Sequence, residues 1–117
     1  MIIREEYLKR IRPFYDQDLI KVIIGIRRCG KSVILNQIMD ELKTNGIDKH
    51  HIIYMNFENF DNFDYMEPKK LNEYIKSLIK DKEKYYLFFD EIGNVSTWER
   101  VINSFKATLN TSIFITG

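Results

Sequence analysis

Apolar positions change their spacing several times along this chain, and each change predicts an element. Tyr7, Leu8 and Ile11 recur at helical spacing between Arg4 and Arg12, and Pro13 ends that helix. Leu19 to Gly25 is an apolar run rich in β-branched residues, the pattern of a buried strand. Val33, Ile34, Leu35, Ile38, Met39 and Leu42 form a helical stripe over Lys31 to Asn45, with Asn45-Gly46 as the stop. His51 to Phe57 predicts a second strand, and the polar, aromatic stretch from Glu58 to Tyr65 a loop. Pro68 suits a first helical position, ahead of a face made by Leu71, Tyr74, Ile75, Leu78 and Ile79. Tyr85 to Phe89 predicts a third strand, apolar on both sides. Ser96-Thr97-Trp98-Glu99 has the form of a capping box opening a helix that buries Trp98, Val101, Ile102, Phe105 and Leu109. Ile113 to Ile115 predicts a fourth strand.

Strands alternating with helices, and apolar on both faces, predict an α/β fold. Its sheet is mostly parallel, with right-handed crossovers and helices on both sides, a three-layer α/β/α arrangement. With 117 residues there is room for one domain, divided here into a helical leader (1–18) and a core (19–117). The balance of 18 basic and 17 acidic side chains, net +1, gives no support for a nucleic-acid or anionic-membrane surface. No apolar run approaches the roughly 20 residues of a membrane span. The acidic Glu5-Glu6 interrupts any secretory pattern. The lone cysteine, Cys29, permits no intramolecular disulfide, which fits a reducing, cytoplasmic setting.

The chemistry concentrates between the first strand and the following helix. Gly25-Ile26-Arg27-Arg28-Cys29-Gly30-Lys31-Ser32 matches the Walker A pattern G-x-x-x-x-G-K-[ST] at every fixed position. The glycines allow a tight turn whose N–H groups, from Gly25 through Val33, point around phosphate oxygens. Lys31 reaches the β- and γ-phosphates as a point charge, Ser32 offers its hydroxyl to Mg²⁺, and the helix directs its positive end at the anion. Tyr85-Tyr86-Leu87-Phe88-Phe89-Asp90-Glu91 is a Walker B pattern. Its strand carries Asp90 to the C-terminal edge, where parallel sheets bind ligands. Asp90 would hold Mg²⁺, and Glu91 would activate water. Asp90-Glu91-Ile92-Gly93 also reads as the D-x-x-G of GTPases, but Thr116-Gly117 does not match the Asn-Lys-x-Asp guanine reader expected at the next strand. A small-molecule kinase is a further alternative, less suited to an Asp-Glu pair.

These residues resemble the AAA+-like predicted P-loop ATPases of bacteria and archaea, whose longer members append a nuclease-like C-terminal domain. The resemblance runs through Tyr7-Leu8, Ile11 and Pro13, Ile24 to Ser32, Asn56-Phe57-Glu58, Phe89 to Ile92, Asn94-Val95, Trp98-Glu99 and Ile115-Thr116-Gly117. Gly93 stands where many relatives carry glutamine. The resemblance implies ATP and Mg²⁺ as cofactors, hydrolysis to ADP and phosphate, and strand order 1-4-3-2. It also implies a chain that continues into a fifth strand beyond Gly117. Without that strand the P-loop strand becomes an edge, an invitation to self-association. The alternative is a nucleotide-binding switch or interaction module with little hydrolysis. The resemblance further marks Asn56 as a possible switch holding Glu91 away from the site, against a strand-end asparagine bonding its own turn. Thr116 is a possible γ-phosphate sensor. Arg27 and Arg28 either help neutralise phosphate or are solvated. Phe57, Phe60, Phe63 and Tyr65 crowd an acidic loop, where covering the core is favoured over stacking on bases. His50-His51 lacks partners at metal-ligand spacing.

Overall fold

The computed structural model describes residues 2–17, 19–23 and 31–117, with side chains from residue 5 onward and not for Lys31. Helices α1 (Ile2–Ile11), α2 (Lys31–Thr44), α3 (Pro68–Leu78) and α4 (Trp98–Thr108) alternate with strands β1 (Lys21–Ile23), β2 (Ile52–Asn56), β3 (Tyr85–Asp90) and β4 (Thr111–Thr116). The four strands form one sheet in the order β1-β4-β3-β2, every pairing parallel, as the resemblance implied.

Period-two alternation along each strand divides two cores. Leu87 and Phe89 of β3, Ile113 and Ile115 of β4, and Ile53 and Met55 of β2 pack on one face with Leu71 and Ile75 of α3 and Val101, Ile102 and Phe105 of α4. Tyr86, Phe88 and Phe114 face the other way, against Ile34, Leu35, Ile38 and Leu42 of α2. Leu8 and Tyr15 of the leader enter this second core. The leader is further tied to α2 by Arg12, which donates to both Glu41 oxygens (Nε at 2.9 Å, Nη2 at 2.6 Å), and by the Tyr15 hydroxyl on Glu41 (2.9 Å).

Several boundaries depart from the sequence reading. Burial on both faces holds for β3 and β4 and not for the edge strands. In β1, Lys21 is buried while Val22 is 56% exposed. Asn45-Gly46 does stop α2: Gly46 has φ 97°, and the Gly46 and Ile47 N–H groups reach back to Lys43 O and Leu42 O, both at 3.0 Å. The capping box does not form. Ser96 N–H is drawn to Met66 O (3.2 Å), so the chain enters α4 through Thr97 in the left-handed region, φ 49°. The Thr97 hydroxyl donates to Ser96 O, while Thr97 O takes the first helical bond, from Arg100 N (3.0 Å).

The aromatic loop is only partly a core cover. Residues Phe60–Met66 form 3₁₀ turns. Phe57 is fully buried and Tyr65 stacks on Tyr74 at 4.4 Å, as expected of covering residues. Phe60 and Phe63 are not: they are 80% and 58% exposed and stack on each other at 5.5 Å. A 3₁₀ turn eclipses residues three apart, so both rings lie on its outer side once Phe57 and Tyr65 have filled the inner one. No helix among the described residues is long and apolar enough to cross a membrane.

Candidate functional site

The alternation that builds the second core also sets the site. Asp90 shares a face with Tyr86 and Phe88, two and four residues before it on β3, and Thr116 shares a face with Phe114 on β4. Tyr54 lies between Ile53 and Met55, which belong to the opposite face. Tyr54, Asp90 and Thr116 therefore all point toward α2, whose first turn carries Ser32.

Asp90 is the centre of the arrangement and is 2% exposed. Among the described residues its carboxylate takes three hydroxyl donors. Ser32 Oγ and Tyr54 OH (2.9 Å) both meet Oδ2, and Thr116 Oγ1 meets Oδ1 at 2.6 Å. A buried carboxylate needs such partners to remain charged. Burial, and then the Asp90 carboxylate, push the Tyr54 phenol up to about 12, so it stays protonated and donates. The Thr116 hydroxyl also accepts the Glu91 N–H at 3.0 Å, bracing both members of the acid pair from one side chain.

Glu91 follows in the left-handed region, φ 57° and ψ 48°. Gly117, at φ 98°, lies against it: a Cβ there would sit 3.0 Å from Glu91 Cα and 3.2 Å from Oε2. Only glycine lets β4 end so close to the glutamate. Asn56 is level with Asp90 in the β2–β3 register, but its Oδ1 accepts Glu58 N–H at 2.9 Å, an Asx turn.

The structure thus gathers Ser32, Asp90, Glu91 and Thr116. Lys31 opens α2, with its side chain outside the described residues, and Val33 is 38% exposed beside it. Gly25, Ile26, Arg27, Arg28, Cys29 and Gly30 lie outside the described residues. Tyr54 was missed in the sequence. The available signal was its place in a strand of alternating burial, two residues before a strand end that pairs with Asp90. His51 also has a carboxylate partner, Asp81 at 3.0 Å, which its distance along the chain concealed.

The donor set suits magnesium. One buried carboxylate and one serine hydroxyl already in contact are hard oxygen ligands, and magnesium is ordinarily held by one or two carboxylates plus phosphate and water. Among the described residues there is no cluster of three or more His, Cys, Asp or Glu that would form an all-protein metal cage.

Comparison with known proteins agrees with this geometry. The chain is 43% identical over 122 residues to an uncharacterized protein of Haemophilus influenzae, an alignment covering 100% of the chain and 30% of that protein. It is 38% identical over 98 residues to an uncharacterized protein of Methanocaldococcus jannaschii, covering 84% of the chain and 21% of that protein. The chain therefore spans under a third of the length of these curated relatives. No solved structure gives a significant match. The family described as "AAA domain" matches residues 17–117, nearly the whole chain, and with the parallel β1-β4-β3-β2 sheet and the Ser32–Asp90 contact this places the protein in that family of AAA-like ATPase domains.

Proposed function

We propose that this domain binds ATP with Mg²⁺ and hydrolyses it to ADP and phosphate. The observation that carries the reading is the contact between Ser32 Oγ and the buried Asp90 carboxylate, which joins the end of the Walker A pattern to the end of the Walker B strand. In this reading the N–H groups from Gly25 to Val33 cradle the phosphates and Lys31 neutralises their charge. Ser32 and Asp90 hold the metal, which when bound supplies charge to the phosphate oxygens. Glu91, one residue past Asp90, orients and deprotonates the attacking water. Thr116, bonded to Asp90 and to Glu91 N–H, fixes the acid pair; sensing the γ-phosphate would require its hydroxyl to leave Asp90. Asn56 acts as a switch only if it gives up its own turn. The lone cysteine supports a cytoplasmic setting.

Single-turnover hydrolysis tests this directly. Glu91→Gln should slow the chemical step by about 10²–10⁴-fold, the usual contribution of a general base, while ATP still raises the melting temperature. Equal, near-zero rates in wild type and variant, with ATP stabilisation intact, would instead identify a nucleotide-binding switch. Tighter competition by GTP than by ATP would change the base assignment.

Self-association belongs to the same proposal. Among the described residues β1 has a single neighbour, β4, and its Val22 is 56% exposed. An edge of that kind favours strand addition by a second copy. Light scattering at high concentration should give a mass above the monomer, and a strictly monomeric mass would count against the idea.

A further inference from the structure

We propose that Tyr54 is a positioning residue for the metal-binding carboxylate, and that its phenol sets how strongly magnesium strengthens nucleotide binding. The inference rests on the ATPase reading above. Tyr54 belongs to β2, at the opposite edge of the sheet from β1. Its hydroxyl nonetheless reaches Asp90 Oδ2 at 2.9 Å, the same oxygen that receives Ser32 Oγ.

Those two donors are not equivalent. A serine hydroxyl that serves a metal gives a lone pair to the cation, and although its O–H can still donate to the carboxylate, the direction of that bond is then tied to where the cation sits. Tyr54 also faces Ser32, but it is not one of the groups read as a metal ligand. Its ring is carried by a strand held to β3 in register from Ile52↔Tyr86 to Asn56↔Asp90. The sheet itself, rather than a loop, therefore fixes where the phenol sits. With Thr116 on Oδ1, Tyr54 keeps the carboxylate plane set while Ser32 Oγ turns a lone pair to the metal. Partners of this kind behind a metal ligand commonly contribute about 10–100-fold to metal affinity.

Tyr54→Phe keeps the ring and removes only the oxygen. ATP affinity is measured by calorimetry in EDTA and then across a magnesium titration. The expected result is unchanged affinity in EDTA with the magnesium midpoint raised by about 10-fold. An unchanged midpoint, or the same loss with and without magnesium, overturns the proposal, because a merely structural tyrosine would affect both conditions alike. If wild type itself shows no magnesium-dependent gain, the ATPase reading and this inference fall together. A wild-type gain that the variant reproduces removes this inference alone. A second measurement needs no ligand: a double-mutant cycle of Tyr54→Phe with Asp90→Ala, read by chemical unfolding. Measurable coupling is expected, and additive effects would show that the hydroxyl does not act on Asp90.

Discussion

Two polar clusters lie on the same face of the sheet, one at each end of the central strands, and they are built on opposite plans. On β3, Tyr86 and Asp90 stand four residues apart, as do Ser112 and Thr116 on β4, a separation of roughly 13 Å. Between the clusters Phe88 and Phe114 stack at 4.6 Å and 3°. At the N-terminal end the Tyr86 hydroxyl donates to Asp16, Ser112 donates to Tyr15 O, and buried Lys21 donates to Ser112 Oγ (2.6 Å) and to Gln17 O. Two of those acceptors are main-chain carbonyls of the leader, which have no alternative orientation. At the C-terminal end one buried carboxylate is met by three hydroxyls, two of them carried by strands and the third, Ser32, by the first turn of α2. Buried polarity alone does not mark a site. Hydroxyls converging on one buried carboxylate, beside a phosphate-loop motif, are what supports the proposed one. The large recess of about 660 Å³ lined by Tyr15, Asp16, Glu41 and Tyr86 illustrates the point, because it belongs to the leader end and not to Asp90.

Matched substitutions on β4 can break this comparison. Thr116→Val removes the hydroxyl shared by Asp90 and Glu91 at nearly constant volume. It should shift the magnesium midpoint of ATP binding by about 10-fold or more, the scale for losing a partner behind a metal ligand. Ser112→Ala removes the hydroxyl at the other end and leaves Lys21 and Tyr15 O each short of one partner. Its expected effect is about 1–3 kcal/mol of stability by urea unfolding, with no change in the magnesium midpoint. If Ser112→Ala moved the midpoint as far as Thr116→Val, the two ends would form one coupled network and the distinction would fail.

The sequence made one end legible and concealed the other, for a physical reason. The Walker patterns are local strings, so Ser32 and Asp90 could be assigned chemistry without coordinates, and the alternation of strand and helix was enough to give the layers. Tyr54, by contrast, meets Asp90 only through strand register, and a tyrosine in a strand otherwise looks like packing. The leader end was hidden in the same way: Ser112 with Tyr15 and Lys21 with Gln17 are meetings of a strand with a turn that no spacing rule reports. Where local pattern misled, a tertiary bond had won. Met66 O drew Ser96 away from capping α4, and the 3₁₀ turns carried Phe60 and Phe63 outward from a core that Phe57 had already closed.

The smallest expected effect concerns pH, and it belongs to the leader end of the sheet. His51 precedes β2, packs edge-on against Tyr85 at 4.7 Å and meets Asp81 at 3.0 Å. The hydrogen bond to Asp81 raises the imidazole above its ordinary value of 6.5, and the same bond lowers Asp81. A group whose folded value is raised contributes stability that is fully present below the unfolded value and lost as pH climbs through the folded one. For Asp81 the sign is reversed, with loss only as pH falls through its lowered folded value. Nucleotide-free wild type should therefore melt at a lower temperature at about pH 8 than at about pH 6, and His51→Asn should flatten that slope. The effect is small because the pair is near the surface, with side chains 21% and 46% exposed. Identical slopes in the two proteins would show that the pair adds nothing to folding. A slope that vanished in Ser112→Ala would trace the pH response to the leader cluster instead.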